Sequence, residues 1–507
     1  MASAKDPADW IDRGARGSPH RPFLFTPEGR ELSYAGLRDQ TAGFASALAA
    51  RGIAPGDRVA AQVDKSVDAV LLYLACLDLG AVYVPINVAN TESEVDYFLR
   101  DSGPRLTVIK PTSRALLEPV AMRAQITHVE TLGADGEGSL PELVSRCAGE
   151  SLGAARPARQ GGGDALAAIV YTSGTTGRAK GAMLTRGNLA SNAETLAEVW
   201  RFTESDVLLH ALPLFHVHGL FVAINTVLAS RSSLLLLPKF DAASVLRHLP
   251  AATVYMGVPT HYTRLLQEPG LDRAAAAGMR LFISGSAPLL AETHRDFGER
   301  TGHRIIERYG MTETLINSSN PYDGARVPGS VGPALPGVSM RVADAADGTG
   351  SLEIKGPNVF AGYWGDPEKS RAEFTSDGWF KTGDVGRIED DGYVYIMGRA
   401  KDLVISGGYN VYPKEVETEL DALTGVVESA VFGVPHPDFG EGVTAAVVRE
   451  PGSAVSEADI IRAVKTRLAG YKIPKRIVFL DDLPRNAMGK VQKNALRSAY
   501  AALYLGE

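Results

Sequence analysis

The chain has 507 residues, of which 45% are hydrophobic and 22% are charged, and its net charge is −7. This balance is typical of a globular protein, and the length predicts more than one domain because domains average roughly 150 residues. The acidic surplus argues against a nucleic-acid-binding protein. The only two cysteines, Cys76 and Cys147, are too few for a disulfide framework or a four-ligand zinc site.

The N-terminal stretch MASAKDPADWIDRGARG lacks the apolar core of a secretory signal. No run of about 18 apolar residues follows it, so the sequence predicts no membrane span. The low cysteine content favours a reducing compartment. We therefore predict a cytoplasmic protein with no membrane partner.

The first part of the chain alternates helical and strand-like patterns. Residues 31–110 show this βαβ rhythm, which predicts a largely parallel sheet with helices on its faces. Residues 133–164 are rich in Gly, Ala and Pro and predict a surface connection. ALAAIV at 165–170 predicts a buried strand, and a helix is expected to begin near Thr185 or Asn188.

The sequence pattern changes from about residue 351. Short strands follow, with a hairpin predicted at Asp391-Gly392. The last hundred residues carry their own pattern of strands and helices, typical of a small α+β unit. The fold class is therefore α/β, with a large N-terminal part and a small α+β C-terminal part.

The stretch YTSGTTGRAKG at 171–181 combines glycines, hydroxyl side chains and a lysine. Successive backbone N–H groups in such a loop can surround an anion, and the preceding strand and following helix favour a phosphate site over a flexible turn. The loop fits neither the Walker A pattern nor the dinucleotide fingerprint. H-E-x-x-H and G-x-S-x-G are absent, so metalloprotease and α/β-hydrolase functions lose their main support.

Four further stretches stand in order after this loop: RYGMTET (308–314), KTGDVGRI (381–388), GRAKDLVISGGYNVYPKEVE (398–417) and PRNAMGKVQK (484–493). Together the five resemble the acyl-adenylate-forming superfamily over nearly the whole chain. The stretches HALPLFHVHGLFVA and MRLFISGSAPLLAETH are similar to malonyl-CoA synthetases within its acyl-CoA synthetase branch.

The resemblance implies an N-terminal adenylation domain at 1–397 with parallel-rich sheets and a barrel-like part, a hinge at 398–402, and a mobile C-terminal domain at 403–507. It also implies a two-step reaction. A carboxylate attacks the α-phosphate of ATP to give acyl-AMP and pyrophosphate, and the thiol of coenzyme A then displaces AMP. The first step concentrates negative charge, so it needs donors, a cation and Mg²⁺.

The resemblance assigns ATP binding to side chains from four of these stretches and from SGSAPL. They are Thr172, Ser173, Gly174, Thr175, Thr176, Lys180, Ser286, Ala287, Pro288, Glu307, Tyr309, Asp384 and Arg399. The loop would hold the β- and γ-phosphates, Tyr309 would lie beside the adenine, and Asp384 would accept the ribose hydroxyls with support from Arg399.

The remaining roles implied by the resemblance concern catalysis and coenzyme A. Thr312 would contact the α-phosphate, Glu313 would bind Mg²⁺, and Lys490 would reach the carboxylate and α-phosphate during adenylation. The C-terminal domain would rotate about Lys401 to present coenzyme A-binding residues. These are Ser406, Gly407 and Gly408, whose small size suits a pantetheine chain. A protein acetyltransferase acting on Lys490 is a further expected partner, since acetylation would remove the charge.

Malonate carries a second carboxylate that cannot be buried without a partner. Arg280 is the predicted cation, because a guanidinium matches a carboxylate bidentately; a surface ion pair is the alternative. His216 would shape the acyl pocket, and Met311 would limit chain length. Three alternatives stay open: a ligase for methylmalonate, succinate or a short fatty acid, a ligase that loads a carrier protein, and a non-catalytic adenylate-binding protein.

Overall fold

The computed structural model describes residues 6–150, 162–172, 179–406, 409–486 and 489–504. The strands in these ranges, in chain order, are β1 Pro22–Phe25, β2 Glu31–Ser33, β3 Arg58–Gln62, β4 Val82–Pro85, β5 Leu106–Ile109, β6 His128–Thr131, β7 Leu166–Thr172, β8 Lys180–Thr185, β9 Val207–His210, β10 Ser233–Leu236, β11 Val254–Gly257, β12 Leu281–Ser284, β13 Ile306–Met311, β14 Leu315–Ser319, β15 Ser339–Ala346, β16 Thr349–Lys355, β17 Phe380–Ile388, β18 Val394–Arg399, β19 Val404–Ser406, β20 Tyr409–Val411, β21 Val426–His436, β22 Gly440–Arg449 and β23 Arg476–Leu480.

The α-helices of the same ranges are α1 Pro7–Gly17, α2 Tyr34–Ala50, α3 Val67–Leu79, α4 Glu92–Ser102, α5 Arg114–Arg123, α6 Ser139–Glu150, α7 Arg186–Val199, α8 Asn225–Ser230, α9 Ala242–His248, α10 Pro259–Gln267, α11 Ala291–Thr301, α12 Pro367–Ala372, α13 Pro413–Asp421, α14 Glu457–Val464 and α15 Lys493–Ala499. None of the helices in the described ranges is long and apolar enough to cross a bilayer.

Two parallel-rich sheets make up most of the N-terminal part. One has six strands in the order β6-β5-β3-β4-β7-β8, and the other has eight in the order β14-β13-β12-β11-β9-β10-β1-β2. Helix α3 lies between them, and all of its residues are buried. Its leucines belong to the same apolar cluster as Leu208 of β9 and Val227 of α8, so the two sheets share one core.

Two smaller sheets complete the fold. The barrel-like part implied by the resemblance corresponds to a four-stranded antiparallel sheet, β15 to β18. The C-terminal part is a five-stranded sheet, in which β23 pairs with β22 beside the order β20-β19-β22-β21. This sheet has apolar clusters of its own, which include Val431 and Phe432 on its two faces. The α/β fold with a large first domain and a small last one is as predicted.

Most of the predicted local features are present in the described residues, with one exception among those that lie outside the glycine-rich loop. The turn at Asp391-Gly392 joins β17 to β18, and Gly392 has φ +84°. Helix α7 begins after Thr185, whose side chain accepts the N–H of Asn188 in a capping box. The predicted surface connection at 133–164 was partly wrong, because residues Ser139–Glu150 form helix α6.

Candidate active site

The glycine-rich loop connects two antiparallel strands. Strand β7 precedes it and β8 follows it, with Thr172 opposite Lys180 where the two strands lead into the loop. The prediction that a helix follows the loop was therefore wrong: a strand intervenes, and α7 begins only at Arg186. Ser173, Gly174, Thr175 and Thr176 lie outside the described residues. Phosphate binding here must come from the backbone and side chains of the loop rather than from a helix N-terminus.

Glu313 lies beside both ends of this loop. Its side chain accepts a hydrogen bond from the Thr172 hydroxyl at 3.4 Å and from the Tyr363 hydroxyl at 3.1 Å. The ammonium of Lys180 stands 5.2 Å from the centre of the Tyr363 ring. Burial raises the pKa of Glu313, because the charged form loses hydration. A divalent cation at this carboxylate would favour its ionised form.

The residues around Glu313 fit a magnesium ion that is shared with phosphates. Mg²⁺ is commonly bound by one or two carboxylates together with substrate phosphate oxygens and water. Within the described ranges, no group of three or more His, Cys, Asp or Glu side chains could form a complete protein cage. A single carboxylate beside the phosphate loop therefore suits an ion that arrives with the nucleotide.

Asp384 and Arg399 face each other across β17 and β18, where they are direct cross-strand partners. Arg399 Nε lies 2.8 Å from a carboxylate oxygen of Asp384, and Nη1 donates to the carbonyl of Thr382 at 3.1 Å. The hydroxyl of Tyr309 donates to the other oxygen of Asp384. Since only 4% of Asp384 is exposed, the carboxylate is held in one orientation by two donors. Such a fixed acceptor can receive a pair of ribose hydroxyls.

The stretch Ser286-Ala287-Pro288 follows β12 and turns sharply. Ser286 has φ +71°, a left-handed conformation that costs energy for a residue other than glycine. Its hydroxyl lies 3.4 Å from Nδ1 of His218. On the next strand, Glu307 accepts the N–H of Gly329 at 3.0 Å, and burial raises the pKa of Glu307 to about 8. The two predicted adenine-side segments therefore end at the same edge of the sheet.

His216 and His218 flank the start of a π-helix at His218–Ile224. All seven residues of this wide turn are buried, and π-turns are frequent at functional sites. Burial, aided by Arg308, lowers the pKa of His216 to about 4 and that of His218 well below its usual range. Both imidazoles are therefore neutral at physiological pH.

Arg308 is the residue that sequence reasoning missed. Only 5% of it is exposed, and its Nε and Nη2 have no hydrogen-bond partner in the described part of the chain. A Cβ atom added to Gly285 would overlap its guanidinium. Burial lowers the pKa of Arg308 to about 9. A buried guanidinium with unused donors needs an anion. The signal was available: two charged residues, Glu307 and Arg308, follow the apolar pair in IIERYG.

Arg280, the predicted carboxylate-binding residue, is engaged elsewhere. Its Nε and Nη2 donate to the two carboxylate oxygens of Asp206 at 2.6 and 2.8 Å, and Nη1 donates to the carbonyl of Trp200 at 3.0 Å. It also precedes β12, whereas Ser286 follows that strand. Ligands bind beyond the carboxyl ends of parallel strands, so Arg280 stands at the wrong end. The alternative that we weighed, an ion pair with an acid of the protein, is what the structure contains, although Asp206 is buried rather than at the surface.

Lys490 lies on a loop of the C-terminal part that touches the N-terminal part. Gly489 adjoins Thr260 of α10 so closely that a Cβ atom would lie 2.7 Å from the threonine oxygen. Lys490 retains solvent access, yet burial of its amine, together with the nearby Arg399, lowers its pKa, while Asp384 and Asp402 oppose that shift. Lys490 therefore shares a neighbourhood with the Asp384–Arg399 pair.

The predicted hinge follows Arg399 directly in the chain, and the predicted coenzyme A residues come next. Lys401 lies in a single 3₁₀ turn, Ala400–Asp402, between β18 and β19. Asp402 pairs with Arg497 of α15 at 2.8 Å. Ser406 is buried at the end of β19, and Gly407 and Gly408 lie outside the described residues. Exposed apolar side chains, Ile405 and Tyr409, stand on either side of that glycine pair.

Comparison with known proteins agrees with this arrangement. MatB from Rhodopseudomonas palustris is 54% identical, and its ATP-bound structure superposes with a TM-score of 0.94 over 99% of this chain and 100% of that one. The malonate–CoA ligase of Arabidopsis thaliana is 40% identical over 66% of this chain, a match that spans 61% of its own length. A feruloyl-CoA synthase from an Amycolatopsis species is 36% identical over 97% of this chain and 98% of its own.

Two family matches cover most of the N-terminal part and most of the C-terminal part. Residues 415–490 match the C-terminal domain of AMP-binding enzymes. Residues 11–364 match the AMP-binding enzyme family itself and include Thr172, Lys180, Tyr309 and Glu313. With a match over more than half of its length, this chain belongs to the AMP-binding enzyme family.

Proposed function

We propose that the protein joins malonate to coenzyme A in an ATP-dependent reaction that passes through malonyl-AMP and releases AMP and pyrophosphate. Support for the reaction type comes from the family and from the cluster of Thr172, Lys180, Glu313, Asp384 and Arg399 around one cleft. Support for the acid comes from relatives named as malonate–CoA ligases. ATP, Mg²⁺ and coenzyme A are the implied co-substrates and cofactor.

Arg308 is the observation that carries the choice of acid. Malonate differs from a monocarboxylic acid in carrying a second carboxylate, at the end away from the one that reacts. The guanidinium of Arg308 offers two unused donors in a buried place beside His216 and Ser286. A charge-assisted bidentate contact would satisfy both donors and the distal carboxylate at once. A monocarboxylic acid of the same length would leave the donors of Arg308 unpaired.

In the first step, a carboxylate oxygen of malonate attacks the α-phosphorus of ATP and pyrophosphate leaves. Thr312 and Lys490 would stabilise the charge that accumulates on the α-phosphoryl oxygens. Asp384 would hold the ribose, and the loop with Lys180 would hold the leaving phosphates. Bound beside Glu313, Mg²⁺ would supply charge neutralisation for the phosphates. Neutral His216 and His218 would line the acyl pocket without attracting a second anion.

The second step requires a different face of the C-terminal domain. We propose boundaries of 1–397 and 403–507 for the two domains, with rotation about Lys401 between them. The rotation would withdraw Lys490 and bring Ser406, Gly407 and Gly408 to the cleft beside a channel for the thiol arm. Thiol attack on the acyl carbon then releases AMP. A change in a few backbone torsions at 398–402 is sufficient for a motion of this kind.

The decisive experiment measures AMP release with MgATP and coenzyme A on malonate, methylmalonate, succinate, acetate and octanoate, with each thioester identified by mass. We expect malonate to exceed acetate by at least tenfold in kcat/KM, because only the dicarboxylates satisfy Arg308. Activity led by acetate or octanoate would keep the reaction type and overturn the acid. AMP formation without a thioester would overturn the second step.

The same assay separates the remaining candidates. A carrier-protein ligase would ignore free coenzyme A and accept a phosphopantetheine arm on a protein. An adenylate-binding protein would release no AMP with any acid. The cytoplasmic location and a protein acetyltransferase acting on Lys490 remain predictions from the sequence.

A further inference from the structure

The segment that carries Lys490 is a short hairpin. Arg485 and Val491 form an antiparallel bridge at its base. Inside it, the N–H of Asn486 donates to the carbonyl of Lys490 at 3.0 Å, and the N–H of Lys490 donates to the Asn486 side chain at 3.0 Å. The described residues of this hairpin therefore fix the backbone on both sides of the lysine.

The guanidinium of Arg485 connects this hairpin to the central sheet of the C-terminal part. Its Nη1 donates to the carbonyl of Gly489 at 2.7 Å, and its Nη2 forms an ion pair with Glu428. Glu428 lies on β21, where it pairs with Val448 of β22. Both side chains of the ion pair are about four-fifths buried, with exposures of 23% and 21%. One planar group thus holds the residue directly before Lys490 to a strand that cannot shift alone.

Gly489 makes this contact consequential. It has φ +72°, a left-handed conformation, and it lies against Thr260 of the N-terminal part. The orientation of the Gly489 peptide sets the direction in which the Lys490 side chain leaves the hairpin. If the carbonyl of Gly489 lost its donor, the peptide could rotate, and the amine at the end of four methylene groups would be displaced by ångströms.

We propose that Arg485 is a positioning residue for Lys490, acting through the carbonyl of Gly489 with Glu428 as its anchor. The proposal rests on the proposed function, in which Lys490 serves the adenylation step. It states which half of the reaction depends on Arg485: adenylation needs the oriented lysine, and thioester formation does not. Misplacement by about 1 Å can cost roughly 100-fold in rate, so a large selective effect is expected.

A purely structural role of Arg485 must be distinguished from a role in positioning Lys490. Arg485 and Glu428 are also an ion pair within the C-terminal part, and breaking it could weaken that fold in general. A general weakening would lower both half-reactions together. The control is Arg467→Met, which removes a more exposed ion pair with Glu419 in the same domain, with 3.5 Å between its atoms.

The experiment measures two half-reactions for Arg485→Met and Glu428→Gln. Pyrophosphate release from malonate and MgATP reports adenylation, and thioester formation from synthetic malonyl-AMP and coenzyme A reports the second step. We expect Arg485→Met to slow adenylation about 10- to 100-fold. Its thioester formation should stay within about twofold of that of the unaltered protein, and this turnover by the variant also proves that the variant is folded. Glu428→Gln should show a weaker loss in the same direction, and Arg467→Met should change neither step.

The exchange variant Arg485→Glu with Glu428→Arg sharpens the test. It restores an ion pair between the two positions, but a carboxylate at 485 cannot donate to the carbonyl of Gly489. We expect its thermal stability to recover while adenylation stays slow. Recovery of adenylation in the exchange variant, or equal loss of both half-reactions in Arg485→Met, would overturn the proposal. Lys490→Ala is measured in parallel: if it spares adenylation, the proposed role of Lys490 fails on its own account.

Discussion

Two arginines show how partners decide the role of a buried charge. Arg280 has three of its donors occupied by Asp206 and Trp200. Arg308 is more deeply buried and has two nitrogen atoms without a partner among the described residues. A structural arginine is one whose donors are satisfied within the protein, and a binding arginine is one whose donors await a ligand. The contrast supports a ligand-binding role for Arg308.

Arg308→Met should raise the activation free energy that kcat/KM for malonate reports by about 2–5 kcal/mol, because the distal carboxylate would be buried without a cation. For acetate, which lacks that carboxylate, kcat/KM should stay nearly unchanged or increase. Arg280→Met is the matched control: it should lower the free energy of unfolding by about 2–4 kcal/mol by stranding Asp206, while the ratio of malonate to acetate activity stays unchanged. The ratio is measured by AMP release, and a ratio lost only in Arg280→Met would reverse the assignment.

Glu307 should make stability depend on pH. Its folded pKa of about 8 lies above the ordinary glutamate value of 4.5, so the folded state retains a proton that the unfolded state has lost. The associated stability is fully present below about pH 4.5 and is lost as the pH rises through 8. Glu307→Gln should therefore raise the free energy of unfolding at pH 8 by about 1–3 kcal/mol and leave it nearly unchanged at pH 4.5. Urea titrations at the two pH values provide the measurement, and an equal effect at both would contradict it.

At the scale of elements, local signals were predictable and pairing was not. The hairpin at Gly392 and the start of α7 at Thr185 follow from turn and capping residues that lie within a few positions of each other. The KGAMLT strand after the glycine-rich loop was missed, because its assignment depends on pairing with β7. A sequence also cannot show that Asp384 and Arg399 are cross-strand partners.

The motifs determined most of the candidate site, and burial determined the rest. Thr172, Lys180, Tyr309, Glu313, Asp384 and Arg399 were named from sequence, and contacts and nearby charges link them into one cluster. Arg308 was passed over although it stands within a quoted motif, because its importance depends on two guanidinium nitrogens that have no hydrogen-bond partner among the described residues. That property becomes visible only when every neighbour is known.

Asn188 connects the start of α7 to the segment before Tyr363. Its Oδ1 accepts the N–H of Thr185, and its Nδ2 donates to the carbonyls of Pro357 and Val359 at 2.7 and 2.9 Å. Asn188→Ala should therefore cost about 2–4 kcal/mol in the free energy of unfolding, since it removes one hydrogen bond of the capping box and two to backbone carbonyls. Thr185→Ala, which removes the cap alone, should cost about 1 kcal/mol. Chemical denaturation of both variants tests the order, and equal losses would mean that the Nδ2 contacts contribute nothing.

At the scale of the whole molecule, the arrangement of the two parts is similar to that in ATP-bound MatB. The chain superposes on ATP-bound MatB with a TM-score of 0.94 and on apo MatB with 0.84, at the same 54% identity. Lys490 is close to Arg399 and Asp384, and Gly489 touches Thr260. The proposed second step requires these contacts to break.

Lys401→Pro should separate the two steps, because the proline ring fixes φ near −65° and restricts the proposed hinge. We expect adenylation to be retained within about threefold, and thioester formation from synthetic acyl-AMP to fall by at least 10-fold. Lys401→Ala, which keeps the backbone free, serves as the control and should leave both steps close to normal. If the proline variant loses adenylation and keeps thioester formation, the hinge lies elsewhere.

The hydrogen bond between Thr172 and Glu313 also has a thermodynamic consequence. Thr172 ends a strand of the six-stranded sheet, and Glu313 follows a strand of the eight-stranded one, so the contact adds a link between the two sheets beside the core that they share. A nucleotide bound there would add contacts to both sheets and oppose their separation. Ligand binding at 100 times Kd stabilises a folded protein by about 2.7 kcal/mol. Saturating MgATP should therefore raise the melting temperature of both sheets together, as one cooperative unit.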